Sequence, residues 1–215
     1  NPNRIDDDFQ YKDIAAVGVV FFVITAVRSI LRKMGYFQGK HLEEPDIMQY
    51  LDLVALGTVC DVMPLTGINR AFVKHGLHLM KQRKNLGLSV LTDIAKVDKK
   101  PEAYHLGYVL GPRINAGGRV GKGSLGSTLL STDCYEEAYK IALALDQYNQ
   151  QRKAIEGLVY DEAMASVKFR DYERNSVILA LGDNWHLGIL GILASRLKEK
   201  YQKPSLIISL IGGIG

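Results

Sequence analysis

The chain has 215 residues, of which 47% are hydrophobic and 23% charged, and 27 basic against 23 acidic residues give a formal net charge of +4. This composition is typical of a globular protein and excludes a disordered tail. The mild basic excess is compatible with a polyanionic partner. Two cysteines are too few for a disulfide framework, which favours a reducing cytoplasm.

The first half of the chain is predicted to be mainly helical. The apolar run Ile14–Val27 is shorter than the roughly 20 residues that a membrane-spanning helix needs, so we expect a buried core helix and no membrane segment. The opening NPNRIDDDFQ has no signal-peptide pattern. The stretch EEPDIMQYLDLVALGTV predicts a short helix that leads into small and β-branched residues, and TGINRAFVKHGLHLMKQRKN predicts a surface helix whose Lys74 and Lys81 face water.

The second half changes character. A Gly-rich basic stretch, GPRINAGGRVGKGS, predicts a loop, and helical spacing then runs from about Cys134 to Lys168 with a polar middle that suits an exposed strut between domains. The segments SVILALGD, WHLGILGILASRLKEKY and PSLIISL follow as strand, helix and strand, which is the parallel crossover unit of an α/β fold. We therefore predict three parts, 1–132, 133–170 and 175–215, in an internal segment of a longer protein.

Asp61 is an acidic residue in an apolar segment, shortly before Pro64. A buried carboxylate is costly unless it is paired or binds a metal. One interpretation places Asp61 just past the carboxyl end of a parallel strand, as an oxygen ligand for Mg²⁺ or Mn²⁺. The other is an Asx-turn, in which the carboxylate accepts hydrogen bonds from the amides leading into Pro64. The chemistry of the residues alone leaves both open.

Two further segments carry candidate binding residues. In GPRINAGGR, small residues would let backbone amides converge on an anion, while Arg113 and Arg119 would contact phosphate oxygens; a plain connecting loop is nearly as good an explanation. In WHLGILGILASR, His186 lies at the start of a helix, where anions are favoured, although a lone histidine is more often structural. Trp185 would either stack on a base or fill the core.

Four segments together resemble the RecJ family of the DHH phosphoesterase superfamily. They are LDLVALGTVCDVMPL followed by INR, then LGPRINAGGR, DQYNQQRKAIE and WHLGILGILASRLKEKYQKP, and the resemblance covers nearly the whole chain. It implies the C-terminal part of a parallel-sheet DHH domain, a long connecting helix and the start of a second α/β domain, called DHHA1. It also implies that Asp61 is a catalytic metal ligand. The loop that in the family helps to position the DNA phosphates is matched by Arg113, Asn115 and Arg119. The start of DHHA1, the domain that grips the strand, is matched by His186, Ser195 and Arg196.

The function that the resemblance implies is a single-stranded-DNA-specific 5′–3′ exonuclease. Two Mn²⁺ or Mg²⁺ ions would assist phosphodiester hydrolysis and release mononucleotides, in recombination and repair. The resemblance further implies a cytoplasmic monomer whose partners are single-stranded DNA, a single-strand-binding protein and a RecQ-type helicase.

The chain also departs from the family pattern. The Asp-His-His triplet, the earlier aspartate motifs and the late Gly-His motif are absent from this sequence. Because one aspartate cannot hold two ions, we expect that this chain alone does not cleave DNA. Two alternatives remain: a nuclease-dead scaffold of the same fold that binds DNA or proteins, and a small-nucleotide phosphodiesterase, which the long helix disfavours.

Overall fold

The computed structural model describes residues 2–169 and 175–215, which are built mainly from helices. A 3₁₀ segment, Ile47–Tyr50, and a π-helical segment, His105–Leu110, accompany the regular elements. In chain order these elements are α1 (Ala16–Lys33), α2 (Tyr36–Gly39), α3 (Leu51–Cys60), α4 (Gly67–Met80), α5 (Leu86–Ile94), α6 (Gly111–Val120), α7 (Leu125–Ser131), α8 (Tyr135–Phe169), β1 (Ile178–Asp183), α9 (Leu187–Tyr201) and β2 (Ser205–Leu210).

The chain divides into two compact units. The first comprises Asn1–Pro112 and Thr128–Leu143, and the second comprises Arg113–Ser127 and Ala144–Gly215. The predicted long helix is confirmed as α8, with 35 residues, and the division falls within it. The three-part domain scheme drawn from the sequence stays a prediction.

The core of the first unit lies among α1, α3 and α4. Gly76 allows the close approach of α4 to α3, because a Cβ at this position would lie 2.2 Å from the carbonyl oxygen of Leu51. Phe21 and Phe72 meet edge to face with ring centroids 5.5 Å apart, a geometry that aromatic pairs favour. The buried members of this core cluster are Ile14, Phe21, Ile47, Leu51, Val54 and Phe72.

The segment before Asp61 is helix α3, so the prediction that Asp61 follows a parallel strand was wrong. The apolar run is buried on nearly all sides, and such a short run has the same hydrophobic pattern in a buried helix as in a buried strand. Packing against α4 decides in favour of the helix. Asp61 therefore lies at the C-terminal end of a helix.

Helix α1 was predicted to be buried, and in part this was wrong. One face contributes Phe21 to the core, but within the described residues the opposite face is open. Its apolar side chains follow helical spacing and are between 41% and 73% exposed: Val20, Val23, Ile24, Val27, Ile30 and Met34. An apolar sequence sets the tendency to be buried, but burial also requires a neighbouring element.

The second unit contains the predicted crossover. Strands β1 and β2 pair in parallel, with Ile178 opposite Ser205 and Asp183 opposite Leu210, and α9 connects them. The core formed here joins α8 to the sheet and to α9; its fully buried members are Ala163, Ala180, Ile189, Leu193 and Leu197. The α/β class is confirmed, and every strand among the described residues lies in this unit. No helix in the described ranges is long and apolar enough to cross a membrane.

Candidate functional site

At the C-terminal end of α3, backbone carbonyls accept hydrogen bonds from the backbone amides that follow. Asp61 is the C-cap, and its amide donates to the carbonyl of Gly57 at 2.9 Å. The amides of Val62 and Met63 then donate to the carbonyls of Val59 and Thr58, at 3.0 and 3.1 Å. This is the hydrogen-bond pattern of a Schellman motif, in which the residue after the cap adopts a left-handed conformation.

Val62 occupies that left-handed position with φ of 56°. Glycine is the usual residue there, and a β-branched side chain with positive φ is a genuine outlier. Its side chain is 85% exposed and is therefore not held in place by packing. Strained backbone of this kind occurs preferentially at functional sites, which draws attention to the neighbouring Asp61.

The carboxylate of Asp61 is exposed and has neither a hydrogen bond nor an ion pair with any described residue. The Asx-turn interpretation was wrong, because the amides of Val62 and Met63 are taken by main-chain carbonyls of α3. A free carboxylate on a tightly closed helix end is available to a cation from solution. An oxygen ligand of this type suits Mg²⁺ or Mn²⁺.

Cys60, next to Asp61, is a packing residue. Burial and the charge of Asp61 raise the pKa of its thiol to about 11, so the thiol is protonated at neutral pH. Its Sγ donates to the carbonyl of Leu106 at 3.6 Å, and a Cβ on Gly111 would lie 2.5 Å from it. These contacts give Cys60 a packing role at the end of α3.

The predicted Gly-rich loop GPRINAGGRVGKGS was wrong for most of its length: residues 121–124 lie outside the helices, but GPRINAGGRV is helical. It forms α6, where backbone amides follow the helix axis and do not converge on one anion. Two of its glycines serve close packing: a Cβ on Gly111 would lie 2.5 Å from the Sγ of Cys60, and one on Gly117 would lie 2.8 Å from the carbonyl oxygen of Lys122. Small residues in a basic stretch indicated a loop, but here they allow neighbouring backbone to approach.

Arg113 and Asn115 differ in their surroundings. The Nε of Arg113 donates to the carboxylate of Asp146 on α8 at 2.8 Å, and both side chains are more than four-fifths buried. The other carboxylate oxygen of Asp146 accepts from Gln150 at 2.7 Å. Arg113 is thus held by an acid within the protein, whereas Asn115 is exposed.

Arg119 and His186 are brought together at the first turn of α9. His186 is the N-cap, and its Nδ1 accepts from the amide of Gly188 at 3.1 Å. The guanidinium of Arg119 donates to the carbonyl of Gly188 at 3.0 Å. A Cβ on Gly188 would lie 2.4 Å from the carbonyl oxygen of Arg119, so only glycine allows this approach. Both candidate side chains remain exposed.

Ser195 and Arg196 lie further along α9 and have partners on the protein. The hydroxyl of Ser195 donates to Glu199 at 3.4 Å. Arg196 lies 2.7 Å from the buried carboxylate of Glu156, as an ion pair rather than an aligned hydrogen bond. Glu156 also pairs with Arg152 one turn away on α8. This ion-pair cluster joins α8 to α9.

Trp185 fills the core and does not offer a surface for stacking. It is 4% exposed, and its indole N–H donates to Glu162 at 2.7 Å. A Cβ on Gly182 would lie 2.0 Å from the ring, so the strand approaches the indole closely. Of the two interpretations left open for Trp185, the structure supports the packing role.

Comparison with known proteins identifies the family. No protein-family model matches the chain. The chain is 40% identical to the single-stranded-DNA-specific exonuclease RecJ of Salmonella typhimurium, over 99% of this chain and 38% of the relative, and 39% identical to that of Escherichia coli, with the same two coverages. A crystal structure of exonuclease RecJ bound to manganese superposes with a TM-score of 0.78 at 29% identity, over 95% of this chain and 49% of that one. The chain belongs to the RecJ family. A RecJ structure with Mg²⁺ from Thermus thermophilus gives a TM-score of 0.68 at 30% identity, over 80% of this chain and 27% of that one.

The chain spans about two-fifths of the length of the RecJ relatives that it matches. Among the described residues, no group of three or more His, Cys, Asp or Glu side chains lies close enough to hold a metal ion. Asp61 belongs to no such group, so the described residues do not supply a complete metal site.

Sequence reasoning missed the acids that hold the candidate arginines. Asp146 pairs with Arg113, and Glu156 pairs with Arg196. A signal was present, because Asn149, Arg152 and Glu156 recur at intervals of three and four residues along one helix face. Asn149 and Glu156 are 1% and 2% exposed. The expectation that the polar middle of α8 is exposed to solvent was therefore wrong at these two residues.

Proposed function

We propose that the protein acts as a single-stranded-DNA-specific 5′–3′ exonuclease that hydrolyses phosphodiester bonds and releases mononucleotides. The observation that carries this proposal is the free, exposed carboxylate of Asp61 on a strained, closed helix end. The RecJ relatives, which are named as exonucleases of this specificity, support the choice of substrate. Recombination and repair in the cytoplasm are the proposed setting.

In this proposal Asp61 is the residue of the chain that holds Mn²⁺ or Mg²⁺, the ions present in the RecJ crystal structures. A bound ion of this kind lowers the pKa of water and stabilises charge on a phosphoryl oxygen. The fit is partial, because no group of three or more His, Cys, Asp or Glu side chains among the described residues could hold the ion together with Asp61. We therefore expect the chain alone to be inactive, with two ions bound only when further ligands are present.

The strand-binding side chains are proposed to act in two ways. Asn115, Arg119 and His186 are exposed and would contact DNA phosphates directly. Arg113 and Ser195 are held by Asp146 and Glu199, and would mainly position their helices while remaining within reach of the strand. Arg196 is 53% exposed despite its ion pair, which leaves part of the guanidinium for a phosphate.

Three further expectations about partners and assembly belong to the same proposal. A single-strand-binding protein and a RecQ-type helicase would act with the enzyme, and the protein would be a monomer. These follow from the resemblance alone. Pull-down with purified partners and analytical ultracentrifugation measure them directly.

The first experiment uses the 215-residue chain with a labelled, 5′-phosphorylated oligonucleotide and Mn²⁺. We expect no shortening of the strand, because the described residues contain no complete ligand set. Mn²⁺-dependent shortening by the purified chain would contradict this expectation. A scaffold that binds but never cuts makes the same prediction here, so a second experiment must separate the two.

The second experiment places the chain in a complete nuclease. In a chimera, the chain replaces the matching segment of the Salmonella typhimurium relative, to which it is 40% identical over 99% of its length. We expect Mn²⁺-dependent 5′–3′ degradation, with Asp61→Ala reducing the rate at least a hundredfold while strand binding stays within about twofold. A folded chimera that binds DNA but does not degrade it would favour the scaffold function.

A further inference from the structure

A basic groove lies in the first unit, beside the C-terminal half of α4. It has a volume of about 590 Å³ and is formed by α4 and the segment that precedes the π-helix. None of the residues predicted from the sequence to bind metal or DNA belongs to it. The residues lining it are Lys74, His75, Leu77, His78, Lys81, Lys100, Pro101, Glu102 and Ala103.

The lysines of this groove are not neutralised by the protein. Lys74, Lys81 and Lys100 are exposed, and among the described residues none of them has a carboxylate within ion-pair distance. Partial desolvation and the nearby charge of Lys100 lower the pKa of Lys81. Two ammonium groups that repel each other in a concave surface are stabilised by an anion placed between them.

An exposed aromatic pair directly follows the groove in the chain. The rings of Tyr104 and Tyr108 stack with centroids 5.1 Å apart, and these residues are 61% and 74% exposed. Tyr104 comes one residue after Ala103, the last residue that lines the groove, and Tyr108 lies within the π-helix. π-Helical turns are uncommon and occur frequently at functional sites.

We propose that the lysine groove and the Tyr104–Tyr108 pair form a second binding surface for single-stranded DNA, with phosphates on Lys81 and Lys100 and a base on the tyrosine rings. Proteins that bind single strands combine a basic groove with exposed aromatic side chains, as found here. The choice of single-stranded DNA as the ligand rests on the proposed function. The location and chemistry of the surface rest on the groove itself.

The charge contribution is tested through the salt dependence of binding. Fluorescence anisotropy with a labelled oligothymidine of about 15 nucleotides would compare the parent chain with Lys81→Ala/Lys100→Ala. The plot of log K against log salt has a negative slope, to which each phosphate contact on a single strand contributes about 0.7. Loss of the two lysine contacts should therefore make the slope shallower by about 1.4. The matched control is Lys33→Ala/Lys40→Ala, which removes two exposed lysines of the same unit outside the groove.

Removal of the negative charge of Glu102 should change the affinity for the oligonucleotide in the opposite direction. It is the one carboxylate among the residues lining this groove, so it opposes an anion. Glu102→Gln is expected to tighten binding of the oligonucleotide. Unchanged or weaker binding would count against phosphates in the groove.

The aromatic contribution is tested with a matched pair of tyrosines. Tyr104→Ala/Tyr108→Ala should weaken binding about tenfold or more, because stacking of one base is worth about 1–3 kcal/mol. Tyr135 and Tyr139 are also stacked and exposed, with centroids 6.2 Å apart, but they line no part of the groove. Their double alanine variant should bind like the parent. Inorganic polyphosphate, which has no bases, should respond to the lysine variant and not to the tyrosine variants.

The proposal is overturned if the chain does not bind the oligonucleotide, or if both lysine variants change the slope equally. It is also overturned if all variants that remain folded by circular dichroism bind like the parent. These outcomes do not depend on cleavage. An inactive chimera together with a groove-specific loss of slope would leave this surface standing while the proposed nuclease function fails.

Discussion

The C-terminal end of α3 and the contact between α8 and α9 each place an acidic residue, but in opposite ways. Asp61 is exposed and has no partner among the described residues, and the backbone around it is closed by main-chain hydrogen bonds. Glu156 is 2% exposed and pairs with Arg152 and Arg196. A carboxylate whose charge is already balanced stabilises the fold, whereas an unbalanced, accessible one is available for a ligand.

The largest expected loss of stability is that of Glu156→Ala, and it distinguishes Glu156 from Asp61. Glu156→Ala leaves the guanidinium of Arg152, which is 12% exposed, without its counter-charge. Removal of one partner of a buried ion pair typically costs about 3–5 kcal/mol. Urea unfolding followed by the fluorescence of Trp185, which lies in the same unit, measures the loss.

The matched control for this change is Asp61→Ala. Its side chain is exposed and unpaired, so the free energy of unfolding should change by less than about 0.5 kcal/mol. A comparable loss in both variants would contradict the distinction between a structural and an available carboxylate.

A smaller change in the free energy of unfolding is expected at the backbone that ends α3. Val62→Gly should raise the free energy of unfolding by about 1 kcal/mol, because a left-handed conformation costs an L-residue about 1–2 kcal/mol and glycine offsets part of that gain through greater freedom when unfolded. Lys96 closes α5 with the same geometry, at φ of 56°. Lys96→Gly should give a smaller gain, since lysine is not β-branched. Far-UV circular dichroism during urea unfolding measures both, and destabilisation by Val62→Gly would show that the valine side chain contributes contacts.

The smallest expected effect concerns a third acid, Asp52, at the start of α3. It is 4% exposed, and its carboxylate accepts from the amide of Leu53 at 2.7 Å. Burial raises its pKa above the ordinary value of 3.8, so the folded state binds this proton more tightly than the unfolded state. The resulting stabilisation is complete below pH 3.8 and is lost as the pH rises through the raised pKa.

Asp52→Asn removes this titration while its amide oxygen can still accept from Leu53. The variant should therefore be more stable than the parent at pH 7, and the difference should shrink as the pH falls toward 3.5. Unfolding measured across this pH range tests the sign. Asp61→Asn, at an exposed position, controls for the change in net charge, and a difference between Asp52→Asn and the parent that grows toward acid pH would refute the assignment.

Much of the fold could be predicted from local sequence. Helix α8 and the β1–α9–β2 crossover were predicted from periodicity and are present. The predictions failed where the local pattern was ambiguous. The run ending at Cys60 is apolar all round and fits a buried helix or a buried strand, and the glycines of α6 fit a loop or a closely packed helix.

At the candidate site, the chemical groups that are available can be read from the sequence, above all an acid at position 61 and arginines at 113, 119 and 196. Which of these groups are free depends on the tertiary structure. The pairing of Arg113 with Asp146 joins residues 33 positions apart, and that of Arg196 with Glu156 joins residues on different helices. The physical reason is that a charge is neutralised by its spatial neighbours, which periodicity and spacing along the chain do not specify.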